Sequence, residues 1–130
     1  MRKVLWTVIF ISVVNILLAA CSSSDNDAAA NAVEEYLNTL VAMDENRLPT
    51  LVCGDWEEEA LIELDSLQAV TARLDNVACS QTGSDGETAL VNCSGKLIAT
   101  YNEEEQELDL SEVTYQVVQE DGDWLVCGTR

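Results

Sequence analysis

Apolar residues change their spacing twice along the chain. From Val4 to Ala20 they run almost without interruption, broken only by Thr7, Ser12 and Asn15. From Ala28 to Met43 they recur at three and four, through Ala29, Val33, Tyr36, Leu37, Leu40 and Val41. That spacing predicts an amphipathic helix, with Asp25, Asn26 or Asp27 placed to cap its first free amides. Glu34 and Glu35 fall off the apolar stripe. Asp44-Glu45-Asn46 breaks the pattern, and Pro49 is tolerable only in a first turn, so a short second helix or turn is expected over 47–52. A third helix is signalled by Asp55 and Glu58, spaced as a capping-box-like pair, by Glu57, Glu58 and Glu59 at the positive end of its dipole, and by an inward stripe of Ala60, Leu61, Leu64 and Leu67.

Beyond Gln68 the period becomes two, through Val70, Ala72 and Leu74 and then Val77 and Cys79, which predicts strands. Gly83-Ser84-Asp85-Gly86 reads as a hairpin turn, because Asp-Gly readily adopts positive backbone angles. With the turn at Asp85-Gly86, a single bulge brings Cys79 opposite Cys93. The returning strand covers Thr88 to Tyr101, Asn102 to Glu105 turns, and Leu108 to Gln119 reads as one long third strand. Asp121-Gly122 then leads to a short closing strand, Asp123 to Cys127. Helices first and an antiparallel meander afterwards is the order of an α+β domain.

The first apolar run follows Arg2 and Lys3, is slightly short for a membrane span, and ends in Leu18-Ala19-Ala20-Cys21. Those four residues resemble the lipobox of bacterial lipoproteins. The resemblance implies that residues 1–20 are a signal peptide and that Cys21 becomes the acylated first residue of the mature chain. It further implies anchoring to the outer face of a bacterial membrane, where two or three acyl chains hold far better than one. The alternatives are an ordinary signal peptide or an uncleaved anchor. Residues 21–27 then form the lipidated Cys and a polar tether, and 28–130 a single α+β domain.

Cys53, Cys79, Cys93 and Cys127 remain, an even number in an exported chain, as two disulfides require. Hairpin geometry favours Cys79 with Cys93 and leaves Cys53 with Cys127. In the chain-entropy model these links contribute about 3 and about 4.5 kcal/mol. A zinc site is the weaker alternative, since no two of these cysteines lie within four residues of each other and the chain has no His.

Charge narrows the function. The 130 residues hold 24 Asp and Glu against 6 Lys and Arg, a net charge of -18, and loss of Arg2 and Lys3 makes the mature chain more acidic still. Such a chain repels a phosphate backbone, which excludes nucleic-acid binding, and favours a basic protein partner by steering. Chemistry built on imidazole is excluded with the histidines. Disorder is disfavoured because 48% of residues are hydrophobic and periodically placed.

The order of elements, the segment Leu51-Val52-Cys53-Gly54-Asp55-Trp56, the hairpin with Ala89-Leu90-Val91 and Gly95, and the ending Tyr115 to Trp124 together resemble the nuclear-transport-factor-2-like, or cystatin-like, superfamily. That resemblance implies helices packed on a curved antiparallel sheet in a cone whose mouth admits a ligand. Some members are isomerases or cyclases using an Asp base with hydrogen-bond donors. Tyr36, Tyr101, Tyr115 and many carboxylates offer such groups, but no motif fixes one in a pocket, so no catalytic residue, metal ligand or cofactor is assigned. Glu57-Glu58-Glu59 and Glu103 to Glu107 lack the spacing of a calcium loop and read as solvated. Trp56 and Trp124 read as packing residues that could also bracket a ligand. The expectation is a membrane-anchored extracytoplasmic module binding a small apolar ligand or a protein partner; the alternative is an isomerase or cyclase using a buried carboxylate and Tyr.

Overall fold

Helix α1, Ser24–Val41, starts before the periodic apolar stripe and buries it from Ala29 to Leu40, leaving Val41 partly buried. A computed structural model describes residues 24–130 of the chain, so Cys21 and residues 1–20 lie outside the described residues. Val33, Tyr36, Leu37 and Leu40 are at most 1% exposed, and burying each aliphatic side chain contributes about 1.5–3 kcal/mol. The helix ends where Met43 takes φ 57°, with Met43 N–H donating to Leu40 and Asp44 N–H to Thr39. This is a Schellman close, made without glycine. The Asp44 carboxylate then accepts from the amides of Asn46 and Arg47, which starts the 3-10 turn Leu48–Thr50.

A second 3-10 turn, Gly54–Trp56, feeds helix α2, Glu57–Ser66. Asp55 makes no capping hydrogen bond: the 3-10 turn runs straight into α2 with Trp56 at its N-cap, so the expected capping box does not form. Five strands follow: β1 Thr71–Asp85, β2 Thr88–Tyr101, β3 Glu104–Asp109, β4 Thr114–Glu120 and β5 Asp123–Thr129. All the strand pairs are antiparallel. The order is β1-β2-β4-β5, with β3 pairing the far half of β2.

The long third strand expected from Leu108 to Gln119 is two strands. Asp109 accepts from the backbone amide and hydroxyl of Ser111, closing a 3-10 turn that drives Leu110 into the core at 1% exposure. The first hairpin also turns one residue later than expected. Asp85 pairs with Thr88, so Gly86, at φ 60°, and Glu87 form the loop. Asp121-Gly122 is a two-residue loop with both angles positive, as its sequence predicts.

Three irregularities shape the sheet. A shift between Gln81 and Gly83 brings Cys79 opposite Cys93. A second inserts an extra residue between Asp75 and Ala78, with Asn76 at φ 51°, and there Gly95, at φ 94°, passes so close that an added Cβ would lie 2.5 Å from the Asn76 carbonyl oxygen. The third falls in β5, where Gln116 pairs with Gly128 but Val117 with Val126, leaving Cys127 as the extra residue.

The expected fold, an α+β cone of nuclear-transport-factor-2 or cystatin type, is overturned. Two α-helices form, with a 3-10 turn where a short helix or turn was expected, and sheet dominates the described residues. The physical reason is that the helix-facing side of the sheet is filled: Tyr36, Leu40, Leu48, Leu64, Val91, Val117 and Val126 meet there with no exposed surface. Gly95→Ala is expected to cost about 1–3 kcal/mol, from the positive φ alone and more if the bulge cannot shift. Urea unfolding of the variant checks this, with an unchanged midpoint as the contrary result.

Candidate functional site

Three elements bring one partly buried polar cluster together. α1 supplies Tyr36, fully buried; α2 supplies Glu63; β4 supplies Tyr115, 3% exposed. The Tyr36 hydroxyl donates to Oε2 of Glu63. The Tyr36 and Tyr115 rings meet edge to face at 6.4 Å between centroids and 65° between planes, a favoured aromatic geometry. Trp56, from the turn before α2, aims its indole N–H toward the Tyr36 hydroxyl and draws that pKa down, yet its Nε1 is buried without a partner at hydrogen-bond geometry.

Burial governs the electrostatics. Loss of water raises the Glu63 carboxyl above its usual range, and the Tyr36 hydrogen bond opposes that rise. Desolvation first, and the Glu63 charge second, push the Tyr36 and Tyr115 hydroxyls far up, so both remain protonated. The cluster can exchange a proton at Glu63. Neither groove described below is lined by any of its four residues, so it offers no substrate a seat there.

One groove follows the outside of α1, lined by Asn31, Glu34, Glu35, Asn38, Asp44 and Arg47 among others, and the Arg47–Glu35 ion pair lies within it. The other lies on the outside of α2, lined by Gly54, Glu57, Glu58, Leu61, Ile62 and Asp65. Both are open to solvent.

The sequence-identified cysteines come together in pairs. Cys79 and Cys93 are bonded across the first hairpin, Cα atoms 4.0 Å apart, and Cys53 and Cys127 are bonded with Cα atoms 5.2 Å apart. The second link has a local cause. Residues 51–53 run as a parallel stub beside β5, Cys53 N–H donating to Val126 O and Val126 N–H to Leu51 O, and the bulge at Cys127 turns its sulfur toward that stub. At the first link the close pair points its amides outward. The Cys79 N–H accordingly donates to the Glu34 carboxylate at 2.9 Å, tying α1 to the sheet edge. Glu34 falls off the apolar stripe of α1, as its spacing predicts, and there it covers an edge amide.

Tyr101 lies apart from Tyr36 and Tyr115, 58% exposed where β2 turns into β3. Trp56 and Trp124 both pack against the core from partly buried positions. Glu57 to Glu59 and Glu103 to Glu107 are exposed, and among the described residues no group of three Cys, Asp or Glu side chains is gathered to hold a metal. Glu63 escaped the sequence reading, although it sits on the inward stripe beside Ala60, Leu64 and Leu67, where a lone carboxylate signals a buried partner.

No family model matches the chain, and no curated protein is significantly similar to it. Among solved structures the chain is similar to a SEC-C motif containing protein from Rhodopseudomonas palustris, at 10% identity and a TM-score of 0.52 over 79% of each chain. At that identity the likeness concerns fold alone. It sets the architecture beside that of a SEC-C motif protein rather than the expected cone.

Because the Glu63 pKa is raised in the folded chain, its favourable contribution is complete below the ordinary value of 4.5 and is lost as pH rises through the folded value. Tyr36→Phe is expected to cost about 1–3 kcal/mol at pH 7, by leaving a partly buried carboxylate without its donor. The penalty shrinks on acidification, and Glu63→Gln removes this pH dependence. Unfolding curves between pH 4 and 8 test it; a Tyr36→Phe penalty independent of pH would contradict the pairing.

Proposed function

We propose that the chain is exported, held at the outer face of a bacterial membrane by lipid on Cys21, and carries a non-catalytic domain that binds a basic protein partner. The observation that supports this reading most is the disposition of sulfur. Four of the five cysteines are joined in pairs within the described domain, the state of a chain in an oxidising compartment. The fifth closes Leu18-Ala19-Ala20-Cys21, just where a lipobox needs its thiol. In this reading lipid on Cys21 is the anchor; among the described residues no helix is long and apolar enough to cross a membrane.

The non-catalytic part rests on the interior. A buried carboxylate facing a Tyr donor is one half of an isomerase-like site, and Glu63 with Tyr36 meets that half. The other half is room for a substrate, and the core side chains that surround the pair occupy that room. The same filling disfavours a small apolar ligand held within the domain and leaves the surface as the place of recognition. A chain with 24 carboxylates against 6 cations, most of the carboxylates exposed, attracts cationic partners at long range.

Mass spectrometry of the protein extracted from membranes of producing cells tests the anchor. The expected mature chain begins at an acylated Cys21, and Cys21→Ser releases it from the membrane fraction. An intact chain beginning at unmodified Met1 contradicts the reading.

A further inference from the structure

Helix α2 has two opposed stripes. Ala60, Glu63, Leu64 and Leu67 face the core, while Glu58, Ile62 and Asp65 form the outer one; Leu61, expected on the inward stripe, sits at the margin between them, partly buried against the core and lining the outer groove. An outer stripe in a water-exposed helix is ordinarily polar. Here it carries an aliphatic side chain, Ile62, which is 62% exposed, the highest value among the exposed large hydrophobic residues. With Gly54 and Glu57 the stripe lines a groove of about 400 Å³.

The charges around this groove set it apart. Glu57, Glu58 and Asp65 border it, and no Lys or Arg lines it. All four cationic side chains of the described residues are engaged elsewhere: Arg47 with Glu35, Arg73 with Glu105, Lys96 with Glu107, and Arg130 with Asp85. The groove along α1 therefore holds its own counter-charge. The other exposed large hydrophobic residues, Tyr101 and Leu108, lie on β2 and β3, where Glu105 and Glu107 are paired and Glu103 and Glu104 are not, and neither residue lines a groove described above. Of the two grooves, the one on α2 joins an exposed aliphatic side chain to carboxylates that no cation of the described residues pairs.

We propose that the outer stripe of α2 is a docking surface for a basic amphipathic segment of a partner protein, seating an apolar side chain on Leu61 and Ile62 and Lys or Arg side chains against Glu57, Glu58 and Asp65. The proposal rests on the reading of the domain as a partner-binding module and gives that module its contact face. The apolar contact supplies affinity, and the carboxylates select the sign of the partner and speed encounter. The Tyr36–Glu63 hydrogen bond on the opposite side of the helix holds α2 in place, so the face is presented preformed.

The test uses the full-length protein and a synthetic helical peptide with Leu on one stripe and Lys elsewhere, beside a control in which Glu replaces Lys. Calorimetry and hydrogen exchange are the readouts. The Lys peptide is expected to protect amides of residues 54–66 and the Glu peptide none. Ile62→Glu and Glu58→Lys, both at exposed positions, should each weaken binding at least tenfold, whereas Glu103→Lys on the β2–β3 turn should change it less than twofold. Protection spread over other acidic segments, or equal affinity of Ile62→Glu, overturns the proposal. So does Ile62-dependent binding to phosphatidylcholine vesicles without peptide protection, or occupation of the groove by the chain's own Val4–Ala20 stretch. The mass of the amino terminus, measured on the same sample, separates the two readings. Loss of peptide binding with acylated Cys21 removes the docking face alone, and peptide binding by a chain retaining unmodified Met1 removes the anchor alone.

Discussion

Self-repulsion is the constraint this fold must meet. Twenty-four carboxylates stand against four cations once Arg2 and Lys3 are set aside, and all four cations are already committed to ion pairs. Those pairs are half-exposed, where water and salt screen most of their attraction. They do not offset the field of the remaining carboxylates. What does offset it is a dry core and two covalent links, whose combined effect rivals the whole net stability of a small domain.

The links sit where the architecture is weakest. The sheet has edges at β1 and β5. At β1, Cys79–Cys93 fixes the hairpin register and the Cys79 amide holds Glu34 of α1. At β5, the Cys127 bulge lets the last strand reach back to Cys53, so the link joins the helical half to the end of the chain. The strand β3 is protected differently, by charge: Glu104, Glu105, Glu107 and Asp109 along an exposed strand discourage another chain from pairing there. Within this frame α1 and α2 are held by a polar contact as well as by packing, since Tyr36 reaches across to Glu63.

Much of the local structure was legible because it follows from short-range rules. The α1 stripe, the Pro49 turn, Asp121-Gly122 and the pairing of Cys79 with Cys93 each depend on residues close in sequence. The misreadings involve contacts that spacing does not encode. Leu108 to Gln119 alternates well enough for one strand, but the Asp109–Ser111 side-chain turn and the pull of Leu110 into the core break it. The cone was inferred from the order of elements, which does not reveal whether the enclosed space is filled. Glu34 and Glu63 were set aside or passed over as carboxylates on helices. Their roles depend on a sheet-edge amide and a Tyr 27 residues away, neither visible along the chain.

If cross-linking is what resists the charge, stability should depend on redox state and ionic strength together. Urea unfolding of oxidised and fully reduced protein, at 0.01 M and 1 M NaCl, measures both at once, because salt shortens the screening length from about 30 Å to about 3 Å. The reduced protein is expected to be largely unfolded at low salt and to recover part of its structure at high salt, while the oxidised protein stays folded in both. A reduced protein with the same midpoint as the oxidised one at low salt would contradict the account.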